Sequence, residues 1–187
     1  MSFKRQRKHP KQQQGEFWRY VNDRAFKKRF SHGGGKSVGK RKVARPVSTK
    51  DPIHIVLKSS RAVGAHSMQR AQHRAAVSAI LYKQAKKFFV QIRGYENVGN
   101  HLHLEVRATA RKEFQQFLKS ITCLIARKVT GARRGVKFGK FWDYLAFTRV
   151  LKTYTELEIL RRYFFANRLE AEIGPEARAT FLSCWYG

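Results

Sequence analysis

The chain predicts an α+β fold: an antiparallel sheet built in the order β-α-β-β-α-β, with one added helix near the C-terminus. Two observations carry this. Short β-rich runs alternate with longer stretches whose apolar residues recur at helical spacing, and two of the strands follow one another across a Gly-Asn turn.

The folded body begins near Pro52. Ile53-His54-Ile55-Val56-Leu57 alternates and is β-branched, which predicts a strand over 53–59. After Gly64, the residues Met68, Ala71, Ala75, Ile80, Leu81, Ala85 and Phe88 fall at helical spacing, predicting a helix from Ser67 to about Phe89. A second strand is expected from Phe89 to about Asn97, a turn at Gly99-Asn100, and a third strand over 101–107. A helix then follows Thr109, with Phe114, Phe117, Leu118, Ile121, Leu124 and Ile125 on one stripe. Gly131 and Gly135 end it in a basic loop. Phe141 to about Leu151 is aromatic and β-branched enough for a fourth strand. Thr153-x-x-Glu156 has the form of a capping box and starts a helix running to about Glu172, before Gly174-Pro175. This order is the ferredoxin-like arrangement. Two helices cover one sheet face, with Leu102, Leu104 and Val106 feeding that core, and the last helix is the natural cover for the other face.

Charge bounds the partner. Forty Lys and Arg stand against twelve Asp and Glu, a formal charge of +28, while aromatic residues make up 13% and hydrophobic residues 42%. Such a field favours a polyanion, and the apolar content favours a folded body. Residues 1–50 hold 16 basic and 2 acidic residues, so 1–50 reads as a basic, largely flexible nucleic-acid-binding extension, with a short helix around Phe17–Phe30. Residues 51–174 form the expected folded domain and 175–187 a C-terminal tail. No apolar run reaches the roughly 18 residues of a membrane span, and no signal-peptide core follows the first basic residues. Gly35-Lys36-Ser37 suggests a phosphate loop, but the first glycine of that motif would fall at Phe30. Cys123 and Cys184 lack CxxC spacing, which fits a reduced intracellular protein, and with the basic charge the expected location is cytoplasmic and nucleoid-associated.

The candidate chemistry starts at Asn100-His101-Leu102-His103-Leu104. In a strand His101 and His103 share one face while Leu102 and Leu104 share the other, so two imidazoles converge as half of a metal site. On the last helix, Tyr163 and Asn167 are four residues apart and project from one side. Spacing alone favours the plainer reading of Tyr163, a core tyrosine whose hydroxyl finds a neighbour.

Taken together, the order His101-Leu102-His103, a helix, the aromatic segment Phe141-Trp142-Asp143-Tyr144, a strand and a Tyr163-x-x-x-Asn167 helix resembles the single-tyrosine HUH transposases, specifically the REP-associated tyrosine transposases, over about residues 40–172. The resemblance implies that His101, His103 and Asn167 hold a divalent cation, Mg²⁺ or Mn²⁺, and that Tyr163 is the nucleophile of a transposase catalytic domain. It implies nicking and rejoining of single-stranded DNA at hairpin or palindromic sites through a 5′-phosphotyrosine link. Two positions depart from the common pattern: Gly99 where relatives often carry Pro, and Arg168 where many carry Pro.

Other side chains have narrower roles. Arg41, Lys42, Arg45, Lys58, Arg61, Arg107, Arg133 and Arg134 are candidate phosphate contacts, and Phe141, Trp142 and Phe147 are candidates for base stacking. Glu105 shares the histidine face and reads as a solvated or ion-paired strand residue. His54, His66 and His73 read as surface or capping residues, and Tyr154 is a rival nucleophile in the first turn of the same helix. The expected partner is single-stranded or hairpin DNA, bound by a monomer or homodimer and not by way of a membrane. The alternative is a non-catalytic nucleic-acid-binding protein using the sheet as a platform, although 101–108 lacks the aromatic signature of an RNA-recognition sheet.

Overall fold

Alternation along one central strand sets the two faces of the sheet. The computed structural model describes residues 30–41, 43–133, 135 and 138–186. Its strands are β1 (Ser31–His32), β2 (Ile53–Lys58), β3 (Val90–Asn97), β4 (His101–Ala108) and β5 (Phe147–Val150). Its α-helices are α1 (Ala71–Lys87), α2 (Arg111–Thr130), α3 (Tyr154–Glu172) and α4 (Pro175–Tyr186). The strands form one antiparallel sheet in the order β1-β5-β2-β4-β3. Setting aside the two-residue edge strand, this is the ferredoxin-like α+β arrangement with its added helix α3.

The apolar face belongs to α1 and α2. Ile53, Ile55, Leu102, Leu104 and Val106 are fully buried, and Val77 and Leu81 from α1 and Phe114, Phe117, Ile121 and Ile125 from α2 meet them. Each such side chain contributes about 1.5–3 kcal/mol through burial. The opposite face collects His54, Val56 and Lys58 of β2 against Glu105, His103 and His101 of β4 in direct cross-strand register. Helix α3 lies on this face through a small cluster of Leu151, Leu160, Tyr163 and Phe164.

The hairpin between β3 and β4 fixes where the histidine strand begins. Gly99 sits at φ +90, and a Cβ there would stand 3.1 Å from Ser67 Oγ, so backbone and space both favour glycine. The buried Asn97 amide donates from Nδ2 to the Met68 carbonyl and accepts at Oδ1 from the Gly99 N–H. Met68 N–H donates to Gly99 O, and Ser59 N–H to Asn100 O. The turn is thereby clamped to residues 67–69 and to the end of β2.

Four differences from the sequence reading have local causes. Helix α1 starts at Ala71 rather than Ser67, because Met68 and Gln69 are committed to gripping the hairpin and Gly64–His66 forms a separate 3₁₀ turn. The fourth expected strand shortens to 147–150: Phe141 turns into the core and Asp143 Oδ1 accepts from both Ser60 N–H and Ser60 Oγ. Part of the basic extension enters the sheet, where Ser31 and His32 pair with Arg149 and Thr148. The short helix expected around Phe17–Phe30 lies outside the described residues apart from Phe30. Finally, residues 175–186, expected as a tail, form α4 packed against α3. The capping box at the start of α3 is present in altered form: Glu156 N–H donates to Thr153 Oγ1, while Glu156 Oε2 accepts from Lys152 N–H.

Candidate active site

Strand β4 delivers both imidazoles to the face under α3. The rings of His101 and His103 lie 4.8 Å apart, nearly perpendicular. His103 is 3% exposed and His101 is half-buried at the rim. Tyr163 comes down from α3 with its hydroxyl oxygen 3.4 Å from His103 Nε2, its ring edge-on to that imidazole at 5.0 Å. One helical turn on, Asn167 is buried, and its Nδ2 has no hydrogen-bond partner among the described residues.

The far nitrogen of each ring is occupied. His101 Nδ1 lies 2.5 Å from Asn100 Oδ1. An amide oxygen can only accept, so that nitrogen carries the proton and His101 Nε2 keeps its lone pair. His103 Nδ1 lies 3.1 Å from Nε2 of His54, a ring stacked on His103 at 15° and itself fully buried. The reading of His54 as a surface or capping residue is therefore wrong. Its alternation with Ile53 and Ile55 puts it on the histidine face, by the same signal that singles out His101 and His103.

Electrostatics keep these rings neutral. Burial pulls His101 down to about 4, aided by the Lys58 and Arg178 charges. Burial likewise holds His54 at about 3, with Arg149 adding to the effect. His103 is lowered well below the ordinary value by burial, then by its two histidine neighbours. Burial raises Tyr163 above the usual phenol value, and the adjacent Asn167 amide opposes that shift. Neutral imidazoles offer lone pairs to a cation, whereas the phenol holds its proton more firmly than in water.

The donor set suits a divalent cation. Two neutral imidazoles stand on one face, and the buried Asn167 amide, whose Nδ2 is unsatisfied among the described residues, lies beside Tyr163 one turn along α3. Among the described residues no three His, Cys, Asp or Glu side chains converge as a ligand group, so any ion held here depends on the Asn167 amide or on substrate oxygens. Glu105 does not join the set. It is buried and accepts both Nε and Nη2 of Arg161 at 2.9 Å, the ion-paired alternative expected for it.

The other sequence candidates scatter. Lys58 is exposed directly across from His101 on the histidine face. Arg45 is spent on structure, donating to Ala146 O at 2.8 Å and Thr148 Oγ1 at 2.7 Å. Arg61 donates to the carbonyls of Phe138 and Lys140 and lies over the Phe138 ring, pinning the loop before β5. Arg107 donates to Lys50 O. Arg41 and Arg133 are exposed, the second in the loop after α2. Lys42 and Arg134 lie outside the described residues. Trp142 donates its indole N–H to Thr122 O on α2, away from the histidine face, and Phe141 beside it is buried in the core. Phe147 alone of the three proposed stacking rings stands on the histidine face, edge-on to His54. Tyr154, the rival candidate, is 76% exposed in the first turn of α3. His66 and His73 contact the Val129 and Ser67 carbonyls and serve local structure.

Arg178 of α4 is a further cation missed by the sequence reading. It pairs with Glu170 and lies 5.9 Å from the Tyr163 ring centre. Pro175 and Glu176, a proline and an acid in a first turn, were the available sign that the tail is a helix.

No protein-family model matches the chain, and no curated protein sequence does. Among solved structures it is similar to a protein from Deinococcus radiodurans R1 provisionally described as a transposase, at 18% identity and TM-score 0.43, over 66% of this chain and 95% of that one. It is also similar to the REP-associated tyrosine transposase bound to a REP hairpin, at 8% identity and TM-score 0.49, over 71% and 75% of the two chains. At such identity and overlap the likeness bears on neither reaction nor site. No helix among the described residues is long and apolar enough to cross a membrane.

Proposed function

We propose that this protein is a metal-dependent DNA strand transferase that cleaves and rejoins single-stranded DNA at hairpin or palindromic sites, with Tyr163 as nucleophile. The observation that carries the reading is the approach of the Tyr163 hydroxyl to His103 Nε2 across 3.4 Å, between elements 60 residues apart in sequence. The imidazole at the polar end of Tyr163 is itself next to a second one, His101, which supports a role beyond filling the core.

In the proposed step the Tyr163 oxygen attacks phosphorus and the bond to the 3′ oxygen breaks, leaving a 5′-phosphotyrosyl link and a free 3′-hydroxyl. The phenolic proton passes to water, and the departing oxygen takes one up. Because one phosphodiester-like bond replaces another, a later 3′-hydroxyl can reverse the step and join strands without a nucleotide cofactor. His101, His103 and Asn167 would hold Mg²⁺ or Mn²⁺, which when bound supplies a Lewis acid for a non-bridging phosphate oxygen. Tyr163 needs that help, since burial raises its pKa. The rim around His101 and Lys58 is the more open approach for a phosphate, as Tyr163 and His103 are buried. The net charge of +28 supplies long-range attraction for the strand.

The test is incubation of the protein with a library of labelled hairpin oligonucleotides and Mn²⁺, followed by denaturing electrophoresis. The expected result is a protein–DNA species that survives denaturation and disappears with chelator. Tight binding with no such species for any oligonucleotide would favour a purely binding role.

A further inference from the structure

We propose that His54 is a positioning residue that orients His103 and fixes its proton on Nδ1, leaving Nε2 free to face Tyr163 and a bound cation. The inference rests on the proposed function and extends it to a residue outside the candidate ligand set. His54 Nε2 and His103 Nδ1 face each other at 3.1 Å, and the two rings stack at 5.4 Å between centres. Two neutral imidazoles in that geometry share one proton. With His103 as donor, its Nε2 presents a lone pair. With His54 as donor, His103 Nε2 carries a hydrogen toward the tyrosine and can hold no ion.

The surroundings argue for the first arrangement. His101 is already held in that form by the acceptor-only Asn100 Oδ1, so a two-imidazole site is completed only if His103 matches it. His54 stands to His103 as Asn100 stands to His101. Its ring is also immobilised: Phe147 and Phe164 meet it edge-on at 6.3 Å each, and it lies between its cross-strand neighbours Glu105 and Arg149. Those two charges are paired with Arg161 and Glu156 of α3, so the groups facing His54 from β4, β5 and α3 are each already engaged.

Two measurements decide it. The ¹⁵N shifts and ¹H couplings of His103 in the metal-free wild-type protein should report the Nδ1–H form, and an Nε2–H form would overturn the proposal. Calorimetric titration with Mn²⁺ should show His54→Phe, which keeps a ring but loses the acceptor, weakened by about 10- to 100-fold. His54→Gln, which restores an acceptor oxygen, should recover most of that loss, with all three proteins melting cooperatively. Unchanged Mn²⁺ affinity in folded His54→Phe would overturn the proposal. If the wild-type protein bound no Mn²⁺ while His103 showed the Nδ1–H form, the ion site of the proposed function would fail and the positioning by His54 would stand. If His54→Phe does not fold, the wild-type spectrum alone decides between the two proton positions.

Discussion

Along β4, Leu102, Leu104 and Val106 point into the core beneath α1 and α2, while His101, His103 and Glu105 point toward α3. Both sides are buried apart from the rim at His101, but by different means. The apolar side excludes water with aliphatic and aromatic packing, and nothing on it needs an individual partner. The polar side is a chain of specific pairings: Asn100 with His101, His54 with His103, Glu105 with Arg161, Arg149 with Glu156. Stability should therefore reside mainly on the first face and chemistry on the second, and substitutions can separate the two.

The largest expected effect is on the chemical side. Tyr163→Phe should reduce covalent adduct formation to background while costing no more than about 0.5–1.5 kcal/mol in stability, the worth of one hydrogen bond. Denaturing gels and urea unfolding check the two halves, and a residual adduct would break the separation. Next, His101→Ala should weaken Mn²⁺ binding by more than the roughly 10- to 100-fold typical of supporting residues, and calorimetry measures it. On the opposite face Phe117→Ala should cost about 3–5 kcal/mol by opening a cavity under α2. In that variant any residual folded protein should keep its Mn²⁺ affinity, and loss of affinity without loss of stability would mean the faces are not independent.

A smaller effect comes from pH. In the metal-free chain the unfolded imidazoles titrate near 6.5, whereas in the fold His101 is held at about 4 and His54 at about 3. Between those values the unfolded chain carries the extra protons, so stability rises with pH across the window and falls as pH drops from about 6.5 toward 4. Urea midpoints at about pH 7 and about pH 4.5 should differ in that direction, and equal midpoints would contradict the burial of these rings. Smallest of all, Lys58→Gln should weaken DNA binding for every sequence alike and reduce the salt slope by about 1.

Alternation makes most of the fold legible. The period of two at 53–57 and 101–107 and the helical stripe from Phe114 to Ile125 locate the sheet, its central strands and the helix that buries it. The same alternation places His101 and His103 together, and the four-residue spacing places Tyr163 with Asn167. What escapes is set by tertiary contacts. Arg45 and Arg61 look like any surface cation until the carbonyls they bind are known. Trp142 looks like a stacking platform until Thr122 accepts its indole N–H. Residues 141–146 have strand composition, but Phe141 turns into the core and Ser60 holds Asp143, so pairing begins only at Phe147. His54 differs from these, since its face is legible in the alternation; a lone histidine in a strand simply carries no motif to mark it.

The central claim is that the Tyr163 phenol serves the imidazole pair as the attacking group. It is tested most directly by digesting a covalent protein–DNA adduct with protease and locating the linked residue by mass spectrometry. The predicted result is a single 5′-phosphoryl modification on Tyr163, in the peptide that also contains Asn167. Attachment at Tyr154 or any other residue, with Tyr163 unmodified, would contradict it.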